Sequence, residues 1–394
     1  MPIEFYSPVS GGAIATVIMQ TGRELLLSGH QVSILTTIDD NPTYSVGTIV
    51  PIEYKTASDL KFPARFVSRV LGKLNGFDWP CFDYYLRSVL SALRGVQPAP
   101  DVVVLFNDLA SSEYVRKVLP RTKIIVWQHN ECSTRHDVRR TVAATDMFVS
   151  NSGYIRNWTI TKHNIPEVRF VVAHNGVDLN SFRPRECYLD GSESLRVLCL
   201  GRIDPNKGPD IAVDAVAALR REGLRLSMTV AGGLWFYGKS DPMTDPYFRT
   251  LNAKMKSAEA SYLGHVHRQT VPEVTRDHDV VCVLSRTNEP FALVALEAMA
   301  SGCAVIASNR GGLPEACGGA AVLVDPDDFE SVVAALRRFC SDRELLNRYK
   351  RESVARAARG SWAGCALIVE QAARGDSSAG VNGPRSRSSS NRNI

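Results

Sequence analysis

Short runs of β-branched and aliphatic residues recur along the chain, alternating with segments whose apolar positions repeat at helical spacing. IEFYS is followed by AIATVIMQTGRELLLSG and QVSILT, and DVVVLF, KIIVWQH, MFVSNS and RFVVAHN complete a first series. Strands that are apolar throughout, alternating with amphipathic helices, predict parallel sheets covered by helices on both faces. A second series opens at RVLCLGRI (196–203) and runs through a helix at 209–222, LRLSMTVAGG, a helix near 247–260, SYLGHV, VVCVLS, the EPFALVALEAMASG helix, AVIAS and AAVLVDP. Asn, Gly and Pro gather in NGVDLNSFRPRE (175–186), which sets a boundary between two doubly wound α/β domains, expected at 1–176 and 177–360. After the last strand come a helix, an interruption at Gly360, Ser361 and Trp362, and a second helix.

The stretch 40–100 is less regular. Within it Phe66, Val67, Val70, Leu71 and Leu74 share one face of a predicted helix at 60–74, with Lys61, Arg65, Arg69 and Lys73 at four-residue spacing on another. Pro63 suits the first turn of such a helix. The basic face either stays in solvent while the helix packs on its own domain, or rests on an anionic membrane or an acidic acceptor.

At 394 residues, 44% hydrophobic and 22% charged, the chain can bury two sizeable cores. The net charge of +5 is modest, and three arginines stand in GDSSAGVNGPRSRSSSNRNI, a Ser/Gly/Asn-rich end that reads as disordered over 375–394. That balance gives nucleic-acid binding no support. Nine cysteines without a CxxC pair or a Cys/His cluster at zinc spacing read as small buried hydrophobes of a reducing compartment. With neither a basic and apolar leader nor an apolar run of about 18 residues, the expected location is the cytosol, peripheral membrane contact through 60–74 being held open.

The chemistry concentrates in EPFALVALE (289–297). A helix beginning just after Pro290 leaves its first N–H groups unpaired, an anion site made by the backbone at Phe291, Ala292 and Leu293. Glu297 lies two turns further in among apolar neighbours, where an ionised carboxylate needs hydrogen-bond donors. Those are either the adjacent hydroxyls of a bound polyol such as a ribose, or a cation such as Arg286. Glu289 would repel a phosphate, so it suits hydroxyls next to one, or else caps the helix. Arg202 and Lys207, in LGRIDPNKGPD (200–210), follow a strand at the sheet edge where doubly wound folds bind ligands, and are apt for a diphosphate. Gly11 and Gly12 mark a strand-to-helix turn open to close approach, without a GxGxxG fingerprint, and His129, in WQHNE, ends another strand. Asp-x-Asp in DHD (277–279) and DPDD (325–328) has a spacing that metal sites use, but the second precedes a helix, where Asp is a common cap, and no metal is expected.

LGRIDPNKGPD, EPFALVALEAMASGCAVIASNRGGLPE and LVDPDD, with NSGYIRN and HNGVDLNSF upstream, resemble the retaining GT-B-fold glycosyltransferases of family four, over nearly the whole chain to about residue 374. Two glutamates separated by seven residues in an apolar setting are the specific part of that likeness. The resemblance implies two Rossmann-like domains facing a central cleft, with a final helix at about 361–374 crossing back to the first. It implies transfer of a hexosyl unit from a nucleoside-diphosphate sugar to an acceptor hydroxyl with retention of configuration, needing no metal or further cofactor. By the same likeness Glu297 binds the nucleotide ribose, Glu289 contacts sugar hydroxyls, and Arg202 and Lys207 neutralise the diphosphate. The backbone at Phe291, Ala292 and Leu293 faces the donor phosphate and sugar, Gly11 and Gly12 approach the ligand, and Val266, in SYLGHVHR (261–268), lies by the base. His129 lies near donor sugar and acceptor, so catalysis rests on His129, Glu289, Arg202 and Lys207. The acceptor is a glycan, a lipid-linked sugar or a small molecule. One departure stands out: the family usually has Gly after EPF, and here Ala292 takes that place. Two other readings are a nucleotide-sugar epimerase of the same fold and a nucleotide-sugar-binding protein without turnover.

Overall fold

The computed structural model describes residues 5–9, 12–54, 59–61, 63, 66, 82–132, 138–185, 194–234 and 241–376. Gly11, most of the basic segment 60–74 and the tail from 377 lie outside them.

Two parallel α/β units follow one another along the chain. In the first, α1 (Ala13–Leu27) precedes β1 (Ser33–Thr36) and β2 (Thr48–Pro51), which pair in parallel with Ile34 opposite Ile49. α2 (Phe82–Gly95) leads to a four-stranded parallel sheet of β3 (Val102–Phe106), β4 (Lys123–Gln128), β5 (Met147–Ser150) and β6 (Phe170–Val172) in chain order. Its crossovers are α3 (Ser112–Val118), α4 (Val138–Ala144) and α5 (Gly153–His163). β2 and α2 fall in the stretch whose pattern is irregular. β2 buries none of its four residues, so it lacks the unbroken apolar run that marks the central strands. α2 nonetheless buries Phe82, Tyr85, Leu86, Val89 and Leu93, the three- and four-residue spacing of a helix face.

The second unit has a six-stranded parallel sheet: β7 (Leu195–Leu200), β8 (Leu226–Ala231), β9 (Ser261–Tyr262), β10 (Val280–Val283), β11 (Ala304–Ser308) and β12 (Val322–Val324). Its helices are α6 (Pro209–Arg221), α7 (Pro246–Ser257), α8 (Val271–Arg276), α9 (Leu293–Ala300), α10 (Leu313–Cys317), α11 (Phe329–Ser341) and α12 (Arg343–Ala357). Alternate residues of the central strands enter two separate cores, Val280 and Cys282 with α6 and α11, Val281 and Val283 with α9 and α10. The strand order β12-β11-β10-β7-β8-β9 runs outward one way from β7 and the other way from β10. Crossovers from the two strands therefore leave on opposite faces, and a crevice opens at their carboxyl ends.

Asp279, just before β10, is fully buried and accepts from Arg196 Nε and Nη2 at 2.9 Å each and from Lys350 Nζ at 3.1 Å, tying β7, β10 and α12 together. Burial pushes its carboxyl up, but the Arg196 hydrogen bonds and the Lys350 charge outweigh this and hold it below the ordinary value. The other Asp-x-Asp carboxylates are likewise engaged. Asp277 pairs with Arg185, Asp325 and Asp327 bind Arg310 at 2.7 and 2.5 Å, and Asp328 caps α11 by accepting the Ser331 N–H at 3.3 Å.

The chain crosses between the domains twice, and the crossings touch: Val177 N–H donates to the Gly360 carbonyl at 3.1 Å. A Cβ on Gly176 would lie 2.4 Å from the Trp362 nitrogen, so glycine is required there by close backbone approach. Ser361 then caps α13 (Trp362–Ala373), which packs Trp362, Cys365 and Val369 against Val17 of α1 and Ile125, Trp127, Met147 and Val171 of the first sheet. Gly176→Val should force these backbones apart and destabilise by about 2 kcal/mol or more. Gly95→Ala, whose Cβ meets open space, should not lower the thermal midpoint, and the two measured side by side separate close approach from a general intolerance of substitution.

Candidate functional site

The crevice between β7 and β10 is built from two loops that the chain joins into one piece. After β7, Asp204 accepts the Asn206 N–H at 2.8 Å and starts a single 3-10 turn over Pro205–Lys207; it also pairs with Arg202 at 3.1 Å. After β10, the Arg286 N–H donates to the Asn206 carbonyl at 2.8 Å. The Arg286 guanidinium binds the Pro205 carbonyl at 2.6 Å and Asp210 at 2.7 and 2.9 Å. Lys207 Nζ donates to Glu289 Oε1, which also accepts the Ser285 hydroxyl at 2.6 Å. Lys207 and Glu289, far apart in the chain, are thus direct partners.

Beyond Glu289 the backbone is gripped from both sides. The Gly312 N–H donates to the Glu289 carbonyl at 2.6 Å, and the Ser152 hydroxyl, from the first domain, donates to the Pro290 carbonyl at 2.6 Å. A Cβ on Gly312 would lie 2.1 Å from that Pro290 oxygen, so the approach depends on glycine. Ala292 has φ 64° and ψ 89°, a left-handed conformation that costs a residue with a side chain about 1–3 kcal/mol. The position where the family usually has Gly is therefore one that asks for Gly. α9 accordingly begins at Leu293 and not directly after Pro290, because a left-handed residue cannot continue a right-handed helix. No side chain caps it, so Glu289 is not its cap. Phe291 is buried and stacks on the His174 ring, centroids 5.6 Å apart, while Leu293 packs against the core shared by α13 and the first sheet.

Glu297, in the second turn of α9, is only 4% exposed. The cation that meets it is Arg268, in the loop after β9, and not Arg286, which is held by Asp210. Arg268 also lies over the Phe182 ring, 5.3 Å from its centroid. Nothing periodic marks Arg268 in SYLGHVHR; the one signal for it was a buried carboxylate without a cation on its own helix. Val266 of the same loop packs, partly buried, against the α9 core.

On the first domain, His129 follows β4. Asn107 Oδ1 accepts its N–H at 2.6 Å, and its carbonyl accepts from Asn151 Nδ2 at 3.2 Å. The ring stacks on Phe106 and lies tilted against Trp127, at centroid distances of 5.6 and 5.0 Å, and its Nε2 is buried with no hydrogen-bond partner among the described residues. Burial carries the imidazole down to about 3, so it is neutral near pH 7 and can offer a ligand one hydrogen bond but no charge. Gly12 is the N-cap of α1, with an extended φ of −95° that other residues also adopt. Glu315 and His174, which no pattern singled out, form a further cluster where the two domains meet.

Residues 188–356 match the family described as Glycosyl transferases group 1, and residues 11–181 match Glycosyltransferase Family 4. The D-inositol 3-phosphate glycosyltransferase of Mycolicibacterium smegmatis (strain ATCC 700084 / mc(2)155) is 33% identical over 233 residues, covering 57% of this chain and 52% of that enzyme. The match thus spans about half the length of that relative. Among solved structures, sucrose-phosphate synthase from Thermosynechococcus elongatus has a TM-score of 0.69 at 20% identity, over 92% of this chain and 93% of that one. Anabaena HepE in complex with UDP and glucose has a TM-score of 0.65 at 16% identity, over 91% and 95%. At such identities these two structures establish a shared fold.

Ala292→Gly should raise the unfolding free energy by about 1 kcal/mol in denaturant titrations, the strain relieved exceeding the entropy that glycine adds to the unfolded chain. His129 sets a pH dependence. Its ring stays neutral in the fold while the unfolded ring titrates near its ordinary 6.5, so stability is lost as pH falls from there toward about 3. His129→Gln should flatten that part of the stability profile.

Proposed function

The chain belongs to the group 1 glycosyl transferases of family four, and on that premise we propose that it moves a hexosyl unit from a nucleoside-diphosphate sugar to an acceptor hydroxyl with retention of configuration. The observation that carries this reading is the crevice at the strand reversal, where Arg202, Lys207 and the uncapped start of α9 bring positive charge beside the acceptors Glu289 and Glu297.

Each group then has one task. Arg202, Lys207 and the N–H groups at Phe291, Ala292 and Leu293 receive the diphosphate and stabilise the charge that develops as it leaves. Lys207 exchanges Glu289 for phosphate, which frees the Glu289 carboxylate to accept from sugar hydroxyls. Glu297 gives one oxygen to Arg268, and its remaining acceptor positions suit the paired hydroxyls of a ribose. Transfer proceeds on one face of the sugar: the acceptor oxygen bonds to the anomeric carbon as the bond to the diphosphate breaks, and the leaving diphosphate oxygen takes the acceptor proton. His129 Nε2 supplies a hydrogen bond to the sugar or acceptor. The donor is the only small molecule besides the acceptor that this chemistry needs. The likeness to Anabaena HepE, solved with UDP and glucose, makes a uridine nucleotide the first donor to test. Among the described residues no helix is long and apolar enough to cross a membrane, and the described cysteines are free thiols; a cytosolic protein touching membrane at most peripherally through 60–74 is part of the proposal.

A thermal-shift panel of UDP, GDP, ADP, CDP and dTDP with their sugar conjugates tests it. One nucleotide at about 100 times its Kd should add roughly 2.7 kcal/mol of stability. Glu297→Gln, referred to its own ligand-free midpoint, should lose most of that shift through a weaker charge-assisted hydrogen bond, about 1.5–3 kcal/mol. A full shift in the variant would remove the ribose role, and no shift or transfer with any nucleotide in the wild type would remove the donor reading.

A further inference from the structure

One carboxylate of the second domain is committed wholly to the first. Both oxygens of Glu315, on α10, accept the Gly153 N–H at 2.8 Å, Oε2 also faces the Tyr154 N–H at 3.4 Å, and Oε1 lies 2.5 Å from His174 Nε2. Gly153 and Tyr154 open α5, an 11-residue helix, so the negative charge sits on the positive end of its dipole. Burial pushes the Glu315 carboxyl up, but the His174 hydrogen bond and the Gly153 N–H outweigh it and keep the group ionised.

The partners of Glu315 lead straight to the donor-side loop. His174, held by the carboxylate, lies flat on Phe291, its ring plane 24° from that of Phe291. Ser152, which caps α5 by accepting the Ile155 N–H at 3.1 Å, donates its hydroxyl to the Pro290 carbonyl. Glu315 itself stands three residues after Gly312, whose N–H holds the Glu289 carbonyl. Pro290 and Phe291 are thus pinned by first-domain groups on the amino side of Ala292, and Leu293 by the first-domain core on the other. A strained backbone of the kind seen at Ala292 persists only where its surroundings over-determine it.

We propose that Glu315 and His174 are positioning residues for the transfer, a clamp across the domains that holds Phe291, and through it the backbone at Ala292 and Leu293, in the geometry that faces donor phosphate and sugar. The proposal rests on the donor reading above. Because the two halves of the clamp belong to different domains, the loop reaches its working geometry only while the domains are closed on each other.

The test compares Glu315→Ala and His174→Phe, the latter keeping an aromatic ring on Phe291 while losing the hydrogen bond. In either variant kcat should fall about 10- to 100-fold, the scale of a misplaced reacting group, with the Kd for UDP, or for whichever nucleotide the wild type binds, within about threefold. Amide hydrogen exchange in the peptide 289–296 should speed up in the ligand-free variant. Adding Ala292→Gly to Glu315→Ala should recover part of the lost turnover, since glycine holds the left-handed conformation without support. Unchanged exchange and turnover in both single variants would overturn the proposal. So would a loss of turnover that Ala292→Gly leaves untouched and that parallels a fall in the melting midpoint, the mark of a plain structural staple. Should Glu315→Ala fail to fold, His174→Phe gives the same readings. Faster exchange in the variants of a protein whose wild type transfers no sugar would sink the donor reading and leave the loop clamp in place.

Discussion

The left-handed backbone at Ala292 is the constraint around which the crevice of the second domain is arranged. Without that turn α9 would begin two residues earlier, and the N–H groups of Phe291, Ala292 and Leu293 would no longer point where they do. The surrounding structure is disposed to hold it. Gly312 approaches the preceding carbonyls as only glycine can, Ser152 takes the Pro290 oxygen, and Phe291 is buried under His174. Such a turn is worth its strain where backbone amides must point at a ligand, since oriented N–H groups need no reorganisation when charge arrives.

A second constraint is electrical. Glu289 and Glu297 are both buried, and an ionised carboxylate cannot stay buried without donors. Each is met by a cation from a different loop, Lys207 and Arg268, and the nearby Arg202 is met by Asp204. The ligand-free crevice is therefore neutralised from within. The Lys207 and Arg202 side chains are each about one-third exposed, 36% and 32%, so both cations are open to solvent. Neither buried carboxylate is left without a cation in the ligand-free crevice.

The architecture was legible because buried parallel strands read as unbroken apolar runs, as in VVCVLS and AVIAS, and because Glu289 and Glu297 stand out against an apolar helix. What escaped depends on contacts between elements. Arg268 belongs to a loop with no pattern, and its pairing with Glu297 arises only when β9 and α9 are brought together by the fold. Glu315 and His174 sit in segments that carry the family likeness, GGLPE and HNGVDL, yet neither stretch shows that they meet, 141 residues apart. β2 and α2 escape for different reasons, the strand because none of its residues is buried and it shows no apolar run, the helix because its period stands in an otherwise irregular stretch. The start of α9 was misplaced because Pro290 is a good helix opener in sequence, while the φ of Ala292 is set by tertiary contacts.

The two domains are joined by contacts of different kinds, and the difference decides which of them can move. At the chain crossings, Gly176 lies against the Trp362 backbone and Val177 bonds to Gly360, while Trp362 is buried in the first core. These contacts lie within a few residues of covalent connections, so separating them would break a core. The junction at Glu315, His174 and Ser152 is instead made of hydrogen bonds between residues remote in sequence. The Ser152 bond contributes about 0.5–1.5 kcal/mol net and those to the ionised Glu315 about 1.5–3 kcal/mol each, because water replaces them on opening. The crossings are thus built from buried backbone and core side chains, and the clamp from polar contacts that water can replace. Since the contacts at the clamp are the ones that hold Pro290 and Phe291, parting the domains there would release the backbone that leads into Ala292.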